Sequence, residues 1–299
     1  MEKITITNPY GDSLTFEQGA SGYMLISRGS FGGVQVLNSE EMGYLQRGSS
    51  LSQKKYASKA WPIVLGIKGV NSDDLRSRLS NVEKLFDAEY NTRADLTPFT
   101  VKFEKTGYVP KVAKCYLSSS VDISNSQENN RGSYQRLFVS FWMPEPIWQD
   151  ENYTEILLEN VINSFEFAID ITDTFEFGEI QAEGVDVIYD GRLPASLIIE
   201  FQGLATNPLL ENVTYGESLK LLTTIASGSS AIINTDYNNP QVEIDGVDSF
   251  SYIDSSNSDL DMLLRRGVNN IKLSTDDTSP AVAKIKFKKT YLTPLGDLS

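Results

Sequence analysis

Carboxylates are the residues of this chain best placed to do chemistry. Between Leu137 and Gly191 it carries 13 acidic residues and no lysine or arginine. Glu166, Asp170, Asp173, Glu176, Glu179, Glu183 and Asp186 could supply oxygen ligands to calcium or a glycosidase acid pair. The stretch has no D-x-D-x-D-G loop, however, and its acids alternate with Phe165, Phe167, Ile169, Ile171, Phe175 and Phe177. Alternation of that kind describes a strand with one solvated face, because successive side chains point to opposite sides of a sheet. No catalytic, cofactor or metal residue is assigned.

Histidine is absent from all 299 residues. Triads and acid/base pairs built on imidazole, and nearly all catalytic zinc sites, are thereby excluded, since no other unperturbed side chain titrates near neutrality. The glycines of Arg28-Gly29-Ser30-Phe31-Gly32-Gly33 lack the Gly-Lys-Ser/Thr ending of a phosphate loop. The single cysteine, Cys115, reads as a half-buried strand thiol, and sparse cysteine fits a reducing compartment. No apolar run approaches the roughly 18 residues that span a bilayer, and the start has no export signal, so no membrane role is expected.

Charge separates the chain into two parts. Residues 1–145 hold 17 Lys and Arg against 15 Asp and Glu, and residues 146–299 hold 9 against 25. A half that acidic repels polyanions, so specific nucleic-acid recognition is not expected of it. The junction Trp142-Met143-Pro144-Glu145-Pro146 places two prolines where a central strand could not continue.

The first part reads as short strands. Ile4 and Ile6 alternate into an Asn8–Asp12 turn and out through Leu14 and Phe16; further strands are expected at Tyr23–Ile26, Val34–Leu37, Trp61–Ile67, Phe99–Glu104, Val112–Val121 and Arg136–Trp142. One helix is expected from a cap at Asn71 or Ser72 to near Tyr90-Asn91, with Leu75, Leu79, Val82, Leu85 and Phe86 on one face. Residues 38–60 are polar and basic. They read as a solvated loop or hairpin arm, and Arg47, Lys54, Lys55 and Lys59 are the candidate contacts to a neighbouring subunit. A mobile loop is expected over Ser124–Ser133.

The second part shows strands at regular spacing, among them Phe165–Ile171, Val185–Tyr189, Ala195–Phe201, Ser230–Asn234, Gln241–Ile244 and Ala283–Tyr291, with a helical turn over Asp259–Leu264. Such spacing is the pattern of a β-sandwich or jelly roll. All three tryptophans lie outside its strands, which weakens a sugar-binding reading that would need an aromatic platform.

Three segments, in order, carry a resemblance: Trp142-Met143-Pro144-Glu145-Pro146-Ile147-Trp148, then Gly203 to Asn212, then Ile233-Asn234-Thr235-Asp236 with Val242-Glu243-Ile244-Asp245-Gly246 and Leu263 to Asn269. Together they resemble the distal tail proteins (Dit, siphophage tail component family) of bacteriophages with non-contractile tails. The resemblance implies a mainly β chain. Residues 1–145 would form an N-terminal β-sandwich or split-barrel-like domain with one α-helix near 72–90, and residues 146–299 a C-terminal galectin-like β-sandwich. It further implies a homohexameric ring at the virion tail tip, assembled in the host cytoplasm, with no enzymatic activity and no cofactor. Its partners would be the tail tube protein, the tape measure protein, a tail-tip or tail-associated lysin hub and a receptor-binding protein, with DNA only passing through the channel. The alternative is a carbohydrate-binding sandwich that contacts the host cell wall.

Overall fold

In the computed structural model, residues 1–41, 50–86, 97–119, 121–123, 130–159, 184–276 and 281–295 are described, residues 50–54, 130 and 131 through their backbone alone. The chain forms two compact units, residues 1–151 with 291–299, and residues 152–290. Both are built almost wholly of strands.

The first unit contains β1 (Glu2–Thr7), β2 (Ser13–Glu17), β3 (Tyr23–Arg28), β4 (Val36–Glu41), β5 (Ser50–Tyr56), β6 (Lys59–Lys68), α1 (Ser72–Leu85), β7 (Phe99–Lys105), β8 (Lys111–Leu117), β9 (Asp122–Ile123), β10 (Asn130–Arg131), β11 (Tyr134–Met143) and β12 (Trp148–Asp150). Its main sheet runs β11-β6-β3-β2-β1-β7-β8 and closes through a second pairing of β8 with β11, Phe141 opposite Leu117 and Trp142 opposite Tyr116. The result is a barrel. Closure removes the exposed edges that an open sheet would present. The alternation of Ile4 and Ile6 with Leu14 and Phe16 sets the first hairpin in register, Ile4 opposite Phe16 and Ile6 opposite Leu14.

Inside the barrel, Ile4, Ile6, Phe16, Ile63, Leu65, Phe99, Val101, Leu137 and Phe141 pack with Leu75, Val82 and Leu85 of the helix in one core. The helix starts where its cap predicts, with Asn71 Oδ1 accepting from Asp74 N at 2.8 Å. It stops at Leu85 with Phe86 as its C-cap; the expected end at Tyr90-Asn91 lies outside the described residues. At one end of the barrel Phe31, Trp61, Phe103 and Trp148 interlock, with ring centroids 4.7 to 6.3 Å apart. Geometries of this kind add roughly 0.5–1.5 kcal/mol per pair beyond burial.

The second unit comprises β13 (Thr154–Glu159), β14 (Val185–Tyr189), β15 (Ala195–Gln202), β16 (Ala205–Thr206), β17 (Leu209–Asn212), β18 (Glu217–Lys220), β19 (Thr224–Ile225), β20 (Ser230–Asn234), β21 (Gln241–Ile244), β22 (Val247–Asp248), β23 (Leu263–Leu264), β24 (Gly267–Ser274) and β25 (Val282–Phe287). One sheet runs β13-β25-β15-β20-β21-β22, with β23 added on β15, and the other runs β14-β24-β17-β18. Inward residues from both sheets, among them Leu197, Ile199, Phe201, Ile233 and Ile285 against Val187, Leu210, Leu219 and Ile271, form one core. This is a sandwich. Asp259–Leu264 forms a turn and the short β23 where a helical turn was expected, and residues 130–131, expected within a loop, form β10.

The sequence reading carries the second unit through to residue 299 and Ala283–Tyr291 as one strand. The structure divides that segment: β25 ends at Phe287, and β26 (Thr290–Tyr291) joins β12 on the barrel's sheet, so the chain returns to the first unit at Tyr291. The alternation of Ala283, Ile285 and Phe287 breaks at Lys288-Lys289, where the chain changes sheet. The strands entering and leaving the second unit, β12 and β26, are therefore neighbours. Lys111, fully buried, holds them: its Nζ lies 2.5 Å from Asp150 Oδ1 and 4.0 Å from the centre of the Tyr291 ring.

Candidate assembly surfaces

The polar stretch after β3 folds as a hairpin. Among the described residues β4 and β5 pair only with each other, from Val36 opposite Tyr56 to Glu41 opposite Ser50, with a bulge beside Ser39. Ala57 N donates to Gln35 O at 2.9 Å and closes its base. Every residue of β4 is exposed, including Val36 and Leu37.

Of the candidate contacts Arg47, Lys54, Lys55 and Lys59, the described side chains Lys55 and Lys59 have different settings. Arg47 lies outside the described residues; Lys54 sits opposite Asn38 in the ladder; Lys55 is exposed opposite Leu37. Lys59 is turned inward instead. Its ammonium donates to Ser30 O at 2.5 Å and to Gly32 O, beside Phe31, Trp61 and Trp148. Burial pushes its pKa down. Lys59 thus clamps the 29–33 turn, and nothing in its sequence neighbourhood distinguishes it from the other lysines of the arm.

The outer wall of the barrel has two characters. Across β1 and β7 it is charged: Lys3 pairs with Glu104 at 2.9 Å, Lys102 with Glu104 and Glu151, and Arg28 with Glu2 at 2.9 Å. The Arg28 hydrogen bond holds the Glu2 carboxyl below its ordinary range, against the effect of burial. Across β3, β6 and β11 the wall is apolar. Ile26, Phe138 and Trp142 are exposed, Tyr116 packs on Trp142 at 5.9 Å, and a Cβ at Gly66 would meet Ile26 Cδ1 at 2.9 Å, Met24 Cε at 3.1 Å and Tyr134 Cε2 at 3.2 Å. Arg136 shares this face with Tyr134 and Phe138, and its Nε is buried with no hydrogen-bond partner among the described residues. Isolated exposed apolar residues are ordinary, but a contiguous face is not.

On the second unit, the outward rows of the larger sheet carry Glu155, Glu200, Lys284 and Lys286, joined by Lys286–Glu200 at 3.0 Å and Lys284–Glu155 at 3.9 Å. None of the described residues in these rows is aromatic, so they supply no stacking platform for a sugar. Of the acidic candidates, Glu166, Asp170, Asp173, Glu176, Glu179 and Glu183 lie outside the described residues, as does the strand expected at Phe165–Ile171. Asp186 accepts from Asn270 Nδ2 at 2.7 Å. Among the described residues, no group of three His, Cys, Asp or Glu side chains is placed to hold a metal.

One polar cluster escaped the sequence reading. Asn269, fully buried, donates from Nδ2 to Arg265 O at 2.7 Å and accepts Arg265 N at 3.0 Å. It ties down the turn that precedes β24. Its signal was the Leu-x3-Gly-x-Asn spacing, and its role there is structural.

With barrel, hairpin and sandwich described, the class becomes definable. Residues 190–291 match the model of the siphovirus-type tail component, C-terminal domain. The whole chain has the fold of SPP1 Dit, a hub adsorption protein of phages infecting Gram-positive hosts: TM-score 0.60, 11% identity, 96% of this chain and 99% of that one covered. A chain of the phage p2 baseplate in its Ca-bound activated conformation matches with TM-score 0.52 and 12% identity, over 97% of this chain and 98% of that one. No curated protein sequence matches. The resemblance to distal tail proteins, read from motif order, is borne out by the family match and the fold.

Proposed function

We propose that this chain is a non-catalytic structural component of a siphophage tail tip, a hub that joins the tail tube to the adsorption apparatus. The observation that carries the reading is the end-to-end correspondence with SPP1 Dit, which leaves almost no part of either chain unmatched. Copies of the first unit close into a ring of six, with the second unit as the sandwich attached to it. The partners are the tail tube protein, the tape measure protein, the tail-tip or lysin hub protein and a receptor-binding protein, and the site of action is the virion tail tip after assembly in the host cytoplasm.

Physical features support this reading. A hairpin exposed along all of β4 and an apolar barrel wall are two different patches on one subunit. Contacts between unlike patches are heterologous and generate rings when the rotation closes. The near-balanced charge of residues 1–145 suits a buried contact, and the acidic residues 146–299 keep free subunits apart.

Light scattering coupled to size-exclusion chromatography of the full chain, alone and with the tail tube protein, tests the proposal. A hexamer, alone or on addition of the tube protein, is expected. A monomer under both conditions refutes it.

A further inference from the structure

We infer that one end of the sandwich holds a buried water molecule, bound by Asn212 Oδ1, Glu217 Oε2 and Arg265 Nη1. The inference concerns the second unit alone and stands apart from the ring reading.

Four side chains form a closed circuit there. Asn212 and Glu217 stand opposite each other in the ladder of β17 and β18, on the sheet face that carries the buried pair Leu210 and Leu219. Glu217 Oε1 accepts from Arg265 Nη2. The backbone of Arg265 is held by Asn269, whose Oδ1 accepts Arg265 N at 3.0 Å and whose Nδ2 donates to Arg265 O at 2.7 Å. The same Asn269 Oδ1 accepts from Asn212 Nδ2 at 3.4 Å, which closes the circuit. Asn212 and Asn269 are fully buried, and the Arg265 guanidinium is covered by the Tyr215 ring, its Cζ 4.5 Å from the ring centre.

The circuit leaves three atoms over. Among the described residues, four buried side-chain nitrogens and oxygens have no hydrogen-bond partner, and Asn212 Oδ1, Glu217 Oε2 and Arg265 Nη1 are three of them. Unpaired buried polar atoms are costly, and native interiors supply them with partners. The three atoms define what the partner must be. It needs two hydrogens, one for Asn212 Oδ1 and one for Glu217 Oε2, and a lone pair for Arg265 Nη1. A hydroxyl brings one hydrogen only, an ammonium or a metal ion has no lone pair to offer, and a carboxylate or phosphate lacks the hydrogens. Charge points the same way: Arg265 and Glu217 already balance, so an added ion would unbalance a poorly solvated site. Water meets every requirement, and three hydrogen bonds are typical of a buried one. Bound here, it links the β17–β18 turn to the turn that precedes β24.

A crystal structure of the full chain at a resolution that shows ordered solvent, together with deuterium relaxation dispersion of the solvent, tests the inference. A solvent peak is expected about 2.7–3.2 Å from all three atoms. Asn212→Leu is expected to lose that peak and one long-lived water from solution, and Glu217→Met, which removes the other acceptor, should do the same. Three results would overturn the assignment: the three atoms bonded directly to protein groups with no solvent between them, an ion in the site with contacts of about 2.3–2.6 Å, or an unchanged count of long-lived waters in a folded variant. Where neither variant folds, the wild-type crystal structure decides.

Discussion

The Lys111–Asp150 pair makes opposite predictions for its two halves. Lys111 is fully buried, whereas the Asp150 side chain is 19% exposed. Asp150→Ala leaves an ammonium in the barrel wall without its carboxylate, and breaking a buried pair from one side costs about 3–5 kcal/mol. Lys111→Met keeps the volume and the packing against Tyr291 and removes the charge. Asp150 then turns to water through its exposed edge, at a cost of about 1 kcal/mol or less. The double variant Lys111→Met/Asp150→Ala should recover most of the loss, because no buried charge remains. Urea unfolding followed by tryptophan fluorescence is the assay: Trp61, Trp142 and Trp148 all belong to the first unit, so the signal reports that unit alone. Equal destabilisation by the two single variants, or a double variant as weak as Asp150→Ala, would refute the argument from burial.

Other expectations follow from the same contacts. Because Arg28 depresses the Glu2 pKa, the stability it contributes is present above the ordinary glutamate range and lost as pH falls through the depressed value; Arg28→Met should flatten that acid limb of the unfolding midpoint against pH. Burial pushes the Cys115 thiol strongly up, so Ellman's reagent should find no reactive thiol in the native chain and one in denaturant. Asn269→Ala removes both hydrogen bonds to the Arg265 backbone and should cost the second unit about 2–4 kcal/mol, read as faster hydrogen exchange in β24.

Much of this fold was legible because its strands obey one rule. Where Ile4, Ile6, Leu14 and Phe16 alternate, the hairpin register follows, and the bounds of β20 and β21 match those read from the sequence. Asn71 with acids behind it announced the helix start. What failed to show were long-range decisions. Nothing local in Phe141 or Leu117 says that β11 must reach β8 and close a barrel. β13 and β17 were missed because Thr154–Glu159 does not alternate cleanly and Leu209–Asn212 opens on two adjacent leucines and so shows no alternation. Hydrophilic composition marked the stretch that folds as the β4–β5 hairpin, but the apolar outer face of the barrel became visible only when β3, β6 and β11 were placed side by side. The setting of Lys59 was hidden as well: a lysine turned onto two backbone carbonyls looks the same in sequence as a solvated one.

The adjacency of β12 and β26 makes the sandwich a guest inserted into its host at a single point. A module whose entry and exit are neighbouring strands can be lengthened, exchanged or excised without rethreading the barrel, much as a cartridge slides into a fixed socket. Chimeras that splice a foreign domain between Asp150 and Tyr291 should thus leave the barrel folded, and Lys111 is the residue such grafts should leave untouched.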